Sequence, residues 1–200
     1  MSWREFWDGD TPIYVNERHK LLHYRSIASG IVTAVAELPR PSPAQGKGAV
    51  VLDHGCGEAL SAQDIAARCE RLYLCEASAA LRQKLSARFA ETGNVAVIGP
   101  LEVADIEEAS LDLVVANSLV QYLTAAEFAT ALRLWRHALK PEGRLLLADV
   151  LPRGLSPMTD ARALLRFGWQ GGFLLAALAG LVRTAFSDYR RLRAEPGLAS

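Results

Sequence analysis

The chain has 200 residues, half of them hydrophobic and 22% charged, which is enough apolar material for one sizeable domain and too much for a disordered chain. Lysine plus arginine number 22 and aspartate plus glutamate 22; this balance argues against the broad basic face that nucleic-acid binding needs. The three cysteines, Cys56, Cys69 and Cys75, have no metal-site spacing and no histidine completes a zinc pattern, so no metal is expected and the thiols read as reduced, in a cytoplasmic setting.

Met1 to Asp10 is charged and aromatic and lacks an apolar signal core. The first predicted helix runs from Asn16 to Leu38. It stops at a linker, PRPSPAQGKG (39–48), whose prolines and glycines cannot continue a helix. AVVLDH (49–54) is a short apolar run ending in an acid and reads as a buried strand. Glu58 to Cys69 is helical in composition. RLYLC (71–75) is a second strand. Ser78 is placed to cap the next helix and Gly93 to follow its end. VAVI (95–98) and LDLVVAN (111–117) are the third and fourth strands. Thr124 and Glu127 form a capping box for a helix reaching about Leu139. Pro141 and Gly143 turn the chain into a fifth strand, RLLLADV (144–150).

Strands alternating with helices predict right-handed crossovers and a parallel sheet. Such sheets bind ligands beyond the carboxyl ends of their strands. The stretches 53–59, 76–78, 99–102, 117–122 and 149–152 are therefore the expected functional positions. Phe167 to Val182, FGWQGGFLLAALAGLV, has no charge but is shorter than the roughly 20 apolar residues a spanning helix needs. It is expected to be helical over 160–182 and to cover its apolar face against the sheet edge or a second copy of the chain. A lid or a membrane-surface contact is the other use for such a face.

VLDHGCGEA (51–59) carries the strongest chemical signal. A strand ends in Asp53, Gly55 and Gly57 allow a tight turn and close backbone approach, and a helix is expected to follow with free N–H groups. A dinucleotide loop would have a third glycine at position 60, where Leu60 stands. Glu58 also lies where a pyrophosphate would sit, which is unfavourable for like charges. A nicotinamide cofactor is thus disfavoured, and a ligand with a cationic or zwitterionic head is preferred. Glu76, ending the second strand in LYLCEAS, can accept both hydroxyls of a ribose.

VLDHGCGEA, LYLCEAS, SLDLVVANSLVQYL and LWRHALKPEGRLLLADV, in that order and spacing, resemble class I S-adenosylmethionine-dependent methyltransferases of the type 11 group. The resemblance covers about residues 49–152. It implies a Rossmann-like, doubly wound, mostly parallel α/β sheet of strand order 3-2-1-4-5, with S-adenosyl-L-methionine as cofactor. Asp53, Gly55, Cys56 and Gly57 would line the methionine end of the cofactor, Glu76 would bind the ribose, and Ala77 would lie beside the adenine. Asn117 would sit under the methionine part, with Ser118, Gln121 and Tyr122 bordering the acceptor pocket. The family's acid near the adenine amino group is replaced by Pro100 and Leu101, which leaves a backbone N–H of Leu101 and the more distant Glu102. The family's closing β-hairpin is expected to be missing, because most of Asp160 to Arg193 reads as helix.

Three regions follow: a helical arm and linker (1–48), a cofactor-binding core (49–152) and an apolar helical segment (153–200). In the arm, His19 and His23 share a helix face, Tyr14 and Tyr24 are candidates for the acceptor pocket, and Arg25 for the cofactor's carboxylate. His54 alternates away from Asp53 and reads as structural, and His137 as a partner of its helix C-terminus. The expected function is methyl transfer to a small-molecule acceptor, O, N, C or S being open, with lipid-like or quinone-like acceptors compatible with the apolar tail. The alternative is a non-catalytic cofactor-binding or scaffold protein. A homodimer formed through the tail is a further expectation.

Overall fold

The computed structural model describes residues 14–39, 48–150 and 157–185. The N-terminal decapeptide and most of the 39–48 linker lie outside the described residues. Five strands, β1 (Ala49–His54), β2 (Cys69–Cys75), β3 (Val95–Ile98), β4 (Leu111–Asn117) and β5 (Leu139–Ala148), form one sheet in the order β3-β2-β1-β4-β5. All four pairings are parallel. The order reverses between β1 and β4, so the loops leaving these two strands part there and open a crevice.

Alternation along the strands divides the core in two. Val51, Leu72, Leu74, Leu113 and Val115 face one side, where they meet Ala28 and Ile31 of α1 (Glu17–Ala36), Ile65 of α2 (Ala62–Ala66) and Leu85 of α3 (Ala79–Arg88). Leu52, Cys75, Val114 and Ala116 face the other, against Ala131, Trp135 and Ala138 of α4 (Ala125–Ala138). Asn16 caps α1 by accepting the His19 N–H at 2.8 Å, and Ser78 caps α3 by accepting the Leu81 N–H at 3.3 Å. Thr124 and Glu127 form the expected capping box, with the Glu127 carboxylate accepting the Thr124 N–H at 2.9 Å.

Two elements of the core differ from the sequence expectation. Glu58 to Cys69 is not one helix: only Ala62–Ala66 is helical. Gly55, Gly57 and Ala59 all take positive φ, so the loop after β1 stays irregular until Ser61. Pro141 and Gly143 do not separate α4 from β5. The strand begins at Leu139, paired with Leu111, and resumes with Arg144 opposite Leu113, so the residues between are looped out as a bulge.

The described residues of the tail form two helices, α5 (Pro157–Gly171) and α6 (Leu174–Ala185), joined where Gly172 adopts a φ of 70°. It packs on α1 rather than on the sheet edge. Arg18 Nε donates to the Gly171 carbonyl at 2.5 Å, and Gly171 lies so close to Leu22 that a Cβ would come within 2.7 Å of its methyl. Among the described residues the sheet ends at β5. No helix among them is long and apolar enough to cross a membrane.

Candidate active site

Two cavities open at the carboxyl ends of β1 and β4. The first, of about 290 Å³, lies on the α1 side and is bordered by Asp53, Cys56, Asn117, Gln121, Tyr14 and Tyr24 among others. The second, of about 410 Å³, lies on the α4 side and is bordered by Glu76, Ala77, Leu101 and Leu119 among others. Gly55, Gly57, Ser118 and Tyr122 border both, so the cavities are two halves of one cleft. Such volumes suit a small molecule, for which pockets of roughly 300–1,000 Å³ are usual.

The loop after β1 is fixed from several directions. Gly55 N–H and Cys56 N–H both donate to the Cys75 carbonyl, at 2.8 and 3.1 Å. Gly57 N–H donates to one Glu76 oxygen at 3.0 Å, and Ser78 N–H donates to the other at 2.8 Å. Arg82 donates to the Glu76 and Ala77 carbonyls, at 2.8 and 2.7 Å, which holds the end of β2. Arg88 donates to the Glu58 carbonyl at 2.6 Å. Neither arginine was among the expected functional residues. Both sit on α3 at ordinary surface spacing, and nothing in the sequence ties them to a loop carbonyl.

The arm closes over this loop. The Glu58 N–H donates to the Tyr24 hydroxyl at 3.0 Å, and Lys20 pairs with the Glu58 carboxylate at 2.5 Å. Tyr14, His19, His23 and Tyr24 form one aromatic cluster with ring centroids 5.3–6.4 Å apart, all bordering the first cavity. His19 stacks on Phe173, between α5 and α6, at 5.0 Å. Arg25 departs from the expectation: it is exposed and borders neither cavity. The helical period turns it outward when Tyr24 and Ala28 face the cleft and core.

Charge in the cleft is unbalanced. Asp53 is buried, and burial together with the nearby Glu76 carboxylate pushes its pKa up to about 7. Burial raises the Tyr14 hydroxyl to about 12 and raises Tyr24 as well, so both keep their protons. Burial lowers His23 and His19 below the ordinary value, although Asp149 pulls His23 back up. The Cys56 thiol is pushed well up by burial and by Asp53 and Glu76, which makes it inert. The Gln121 Oε1 is buried and has no hydrogen-bond partner among the described residues.

Two strand ends carry strained backbone. Ser118 after β4 and Asp149 after β5 adopt φ of 52° and 50°, and the Ser118 hydroxyl donates to the Asp149 carboxylate. Asn117 Nδ2 donates to that same hydroxyl at 3.0 Å. Left-handed backbone at residues other than glycine concentrates at functional sites. Leu101 is 90% exposed at the lip of the second cavity. Glu102 points elsewhere: its carboxylate accepts the Gly99 N–H at 2.6 Å and caps the short 3-10 turn Pro100–Asp105. His54 borders the second cavity, and its Nδ1 accepts the Trp135 indole N–H at 2.9 Å. His137, in the last turn of α4, lies 3.9 Å from Glu108.

Residues 52–147 match the family model described as a methyltransferase domain. Among solved structures the chain is similar to an S-adenosylmethionine-dependent methyltransferase from Leishmania major, with 20% identity and a TM-score of 0.54 over 72% of this chain and 57% of that one. It is also similar to phosphoethanolamine N-methyltransferase 1 of Haemonchus contortus, solved with phosphoethanolamine and S-adenosylhomocysteine. There the identity is 23% and the TM-score 0.55, over 72% of this chain and 30% of that one. The chain thus spans less than two thirds of the length of either. No curated protein matches it.

Proposed function

We propose, from the premise that residues 52–147 form a class I methyltransferase domain whose cofactor is S-adenosylmethionine, that this protein transfers a methyl group to a small organic acceptor bound between that domain and α1. The residues present fit the cofactor. Asp53 is a buried carboxylate beside a second one, so the cleft favours a ligand that brings positive charge, as an amino acid sulfonium does. The Glu76 oxygens each accept one backbone N–H and retain lone pairs for ribose hydroxyls. Ala77 and Leu101 offer apolar surface for a purine. On this reading Asp53, Gly55, Cys56, Gly57 and Asn117 hold the methionine end.

When bound, the cofactor supplies an activated methyl on sulfur, so the protein's part is chiefly alignment and exclusion of water. Tyr14, Tyr24, Gln121 and Tyr122 border the acceptor in this reading. The unpartnered Gln121 Oε1 supports it, since a buried acceptor atom calls for a donor from the ligand. His23 is held neutral by burial, so an imidazole nitrogen can take the proton the acceptor sheds. Asp149 then stabilises the imidazolium. A cytoplasmic setting, with reduced thiols, belongs to the same proposal.

The observation that carries this reading is the meeting of the two cavities at Gly55 and Gly57, with Asp53 in one and Glu76 in the other. Isothermal titration with S-adenosylhomocysteine tests it. Saturable binding is expected, and no binding by the folded chain at millimolar ligand would sink it. A non-catalytic cofactor-binding role is the second reading, favoured by the Tyr24 hydroxyl that already engages the Glu58 N–H. Cofactor binding without turnover on any tested class of acceptor would select it.

A further inference from the structure

The two faces of the α5–α6 hairpin differ in kind. Its inner face is covered: Phe167 and Phe173 pack around His19, and Gly168 lies against Ala177 across the hairpin. Its outer face carries Trp169 at 75% exposure, Leu175 at 82%, Leu178 at 45% and Val182 at 61%. Helical spacing sets Arg162, Arg166 and Trp169 on one stripe of α5, and Leu175, Leu178 and Val182 on one stripe of α6. Both arginines are exposed. From Ala161 to Val182 there is no acid, in a chain whose acids and bases balance overall.

An aliphatic ridge, a tryptophan and arginines on one surface is the composition of a helix that lies in a lipid interface. A second copy suits this face less well. A twofold contact would bring Arg162 and Arg166 of both copies together, with a single acid, Asp160, on each hairpin to set against them. We propose that the outer face of the α5–α6 hairpin docks the protein on an anionic phospholipid surface. Because the inner face packs on α1, docking would hold Tyr14, His19 and His23, and the cavity they border, close to the bilayer. The proposal concerns binding alone and stands whether or not methyl transfer is demonstrated.

Co-sedimentation of the full chain with vesicles tests it, using phosphatidylcholine alone and phosphatidylcholine mixed with phosphatidylglycerol. Binding to the mixed vesicles is expected, with weaker binding to neutral ones and a decline as salt is raised. Reversing Arg162 and Arg166 together to glutamate should weaken binding at least about 25-fold, at about fivefold per positive charge lost. Trp169→Ser with Leu175→Ser should weaken it toward the mixed and the neutral vesicles alike. Circular dichroism checks that each variant is folded, and the salt titration of the unaltered chain needs no variant. Absence of binding to the mixed vesicles, or binding indifferent to salt and to both arginines, would overturn the proposal. So would a concentration-dependent dimer in sedimentation velocity that Leu175→Ser dissolves while vesicles are ignored; the face would then join two copies of the chain.

Discussion

At the scale of single residues, the two cleft carboxylates make different demands. Glu76 is already pinned by two backbone N–H groups, so its replacement removes loop support and, in the proposed function, a ribose contact as well. Glu76→Ala should weaken S-adenosylhomocysteine binding roughly 10- to 100-fold by calorimetry. A change under about twofold would mean the carboxylate is merely solvated when ligand is bound. Asp53 titrates instead. Its pKa is raised from an ordinary 3.8 to about 7, so the folded chain holds this proton more tightly than the unfolded one. Its contribution to stability therefore falls as pH rises from 3.8 through about 7. A bound cation reverses the preference, so cofactor affinity should rise with pH up to about 7 and binding should release a proton. Calorimetry in buffers of different ionisation enthalpy counts that proton. Affinity independent of pH in the unaltered chain, or unchanged pH dependence in Asp53→Asn, would contradict the assignment.

His54 titrates in the opposite sense. Burial lowers its pKa from 6.5 to about 4, so the unfolded chain takes up a proton that the folded chain refuses. Stability is lost as pH falls from 6.5 to about 4, by on the order of 2–3 kcal/mol. Urea midpoints across that range should drop, and should drop less in His54→Gln, which removes the titration. The alternation that turns His54 away from Asp53 was legible in the sequence. Its partner was not, because Trp135 lies on α4, far along the chain, and only the folded packing brings its indole to Nδ1.

Among the elements, α4 is the best anchored. Trp135 is 1% exposed and fills the core beneath β1 and β4 while donating to His54. Trp135→Ala should lower stability by about 3–5 kcal/mol in urea unfolding, through lost contacts and an unfilled cavity. A loss below about 1 kcal/mol would show that neighbouring side chains refill the space. The strands and caps of this region were readable because they depend on local patterns: apolar runs, and the Thr124–Glu127 spacing. The segment after β1 was not. Its composition from Glu58 to Cys69 favours a helix, but Ala59 is held at positive φ between loop carbonyls fixed by Arg88. Tertiary contact overrides propensity there, and only a helical stub survives. The bulge in β5 was hidden likewise, since proline and glycine mark a turn more often than an interrupted ladder.

On the scale of the whole molecule, α1 is the tie between core and hairpin. It presents Tyr24 and Lys20 to the glycine loop, and Arg18 and Leu22 to Gly171. Arg18→Ala should loosen the hairpin by roughly 1 kcal/mol, raising amide exchange in α5 and α6 while leaving the sheet amides protected. Equal acceleration in the sheet would mean the hairpin and core open as one unit. The parallel sheet could be expected because alternating strands and helices restrict the topology, whereas its strand order was implied only by the resemblance of the motifs to class I methyltransferases. The hairpin's seat on α1 could not, because an apolar face reveals that it needs cover and says nothing of what supplies it.

The strained backbone at Ser118 and Asp149 bears on protein engineering. A thermostabilisation campaign ranked by melting temperature would place glycine at both positions, relieving strain of order 1 kcal/mol or more at each. It would thereby delete the hydroxyl and carboxylate that join the ends of β4 and β5 at the mouth of the cleft. Selection for heat resistance and selection for turnover would thus pull these two positions in opposite directions. A library assayed for both properties should find its sharpest conflict there rather than in the core.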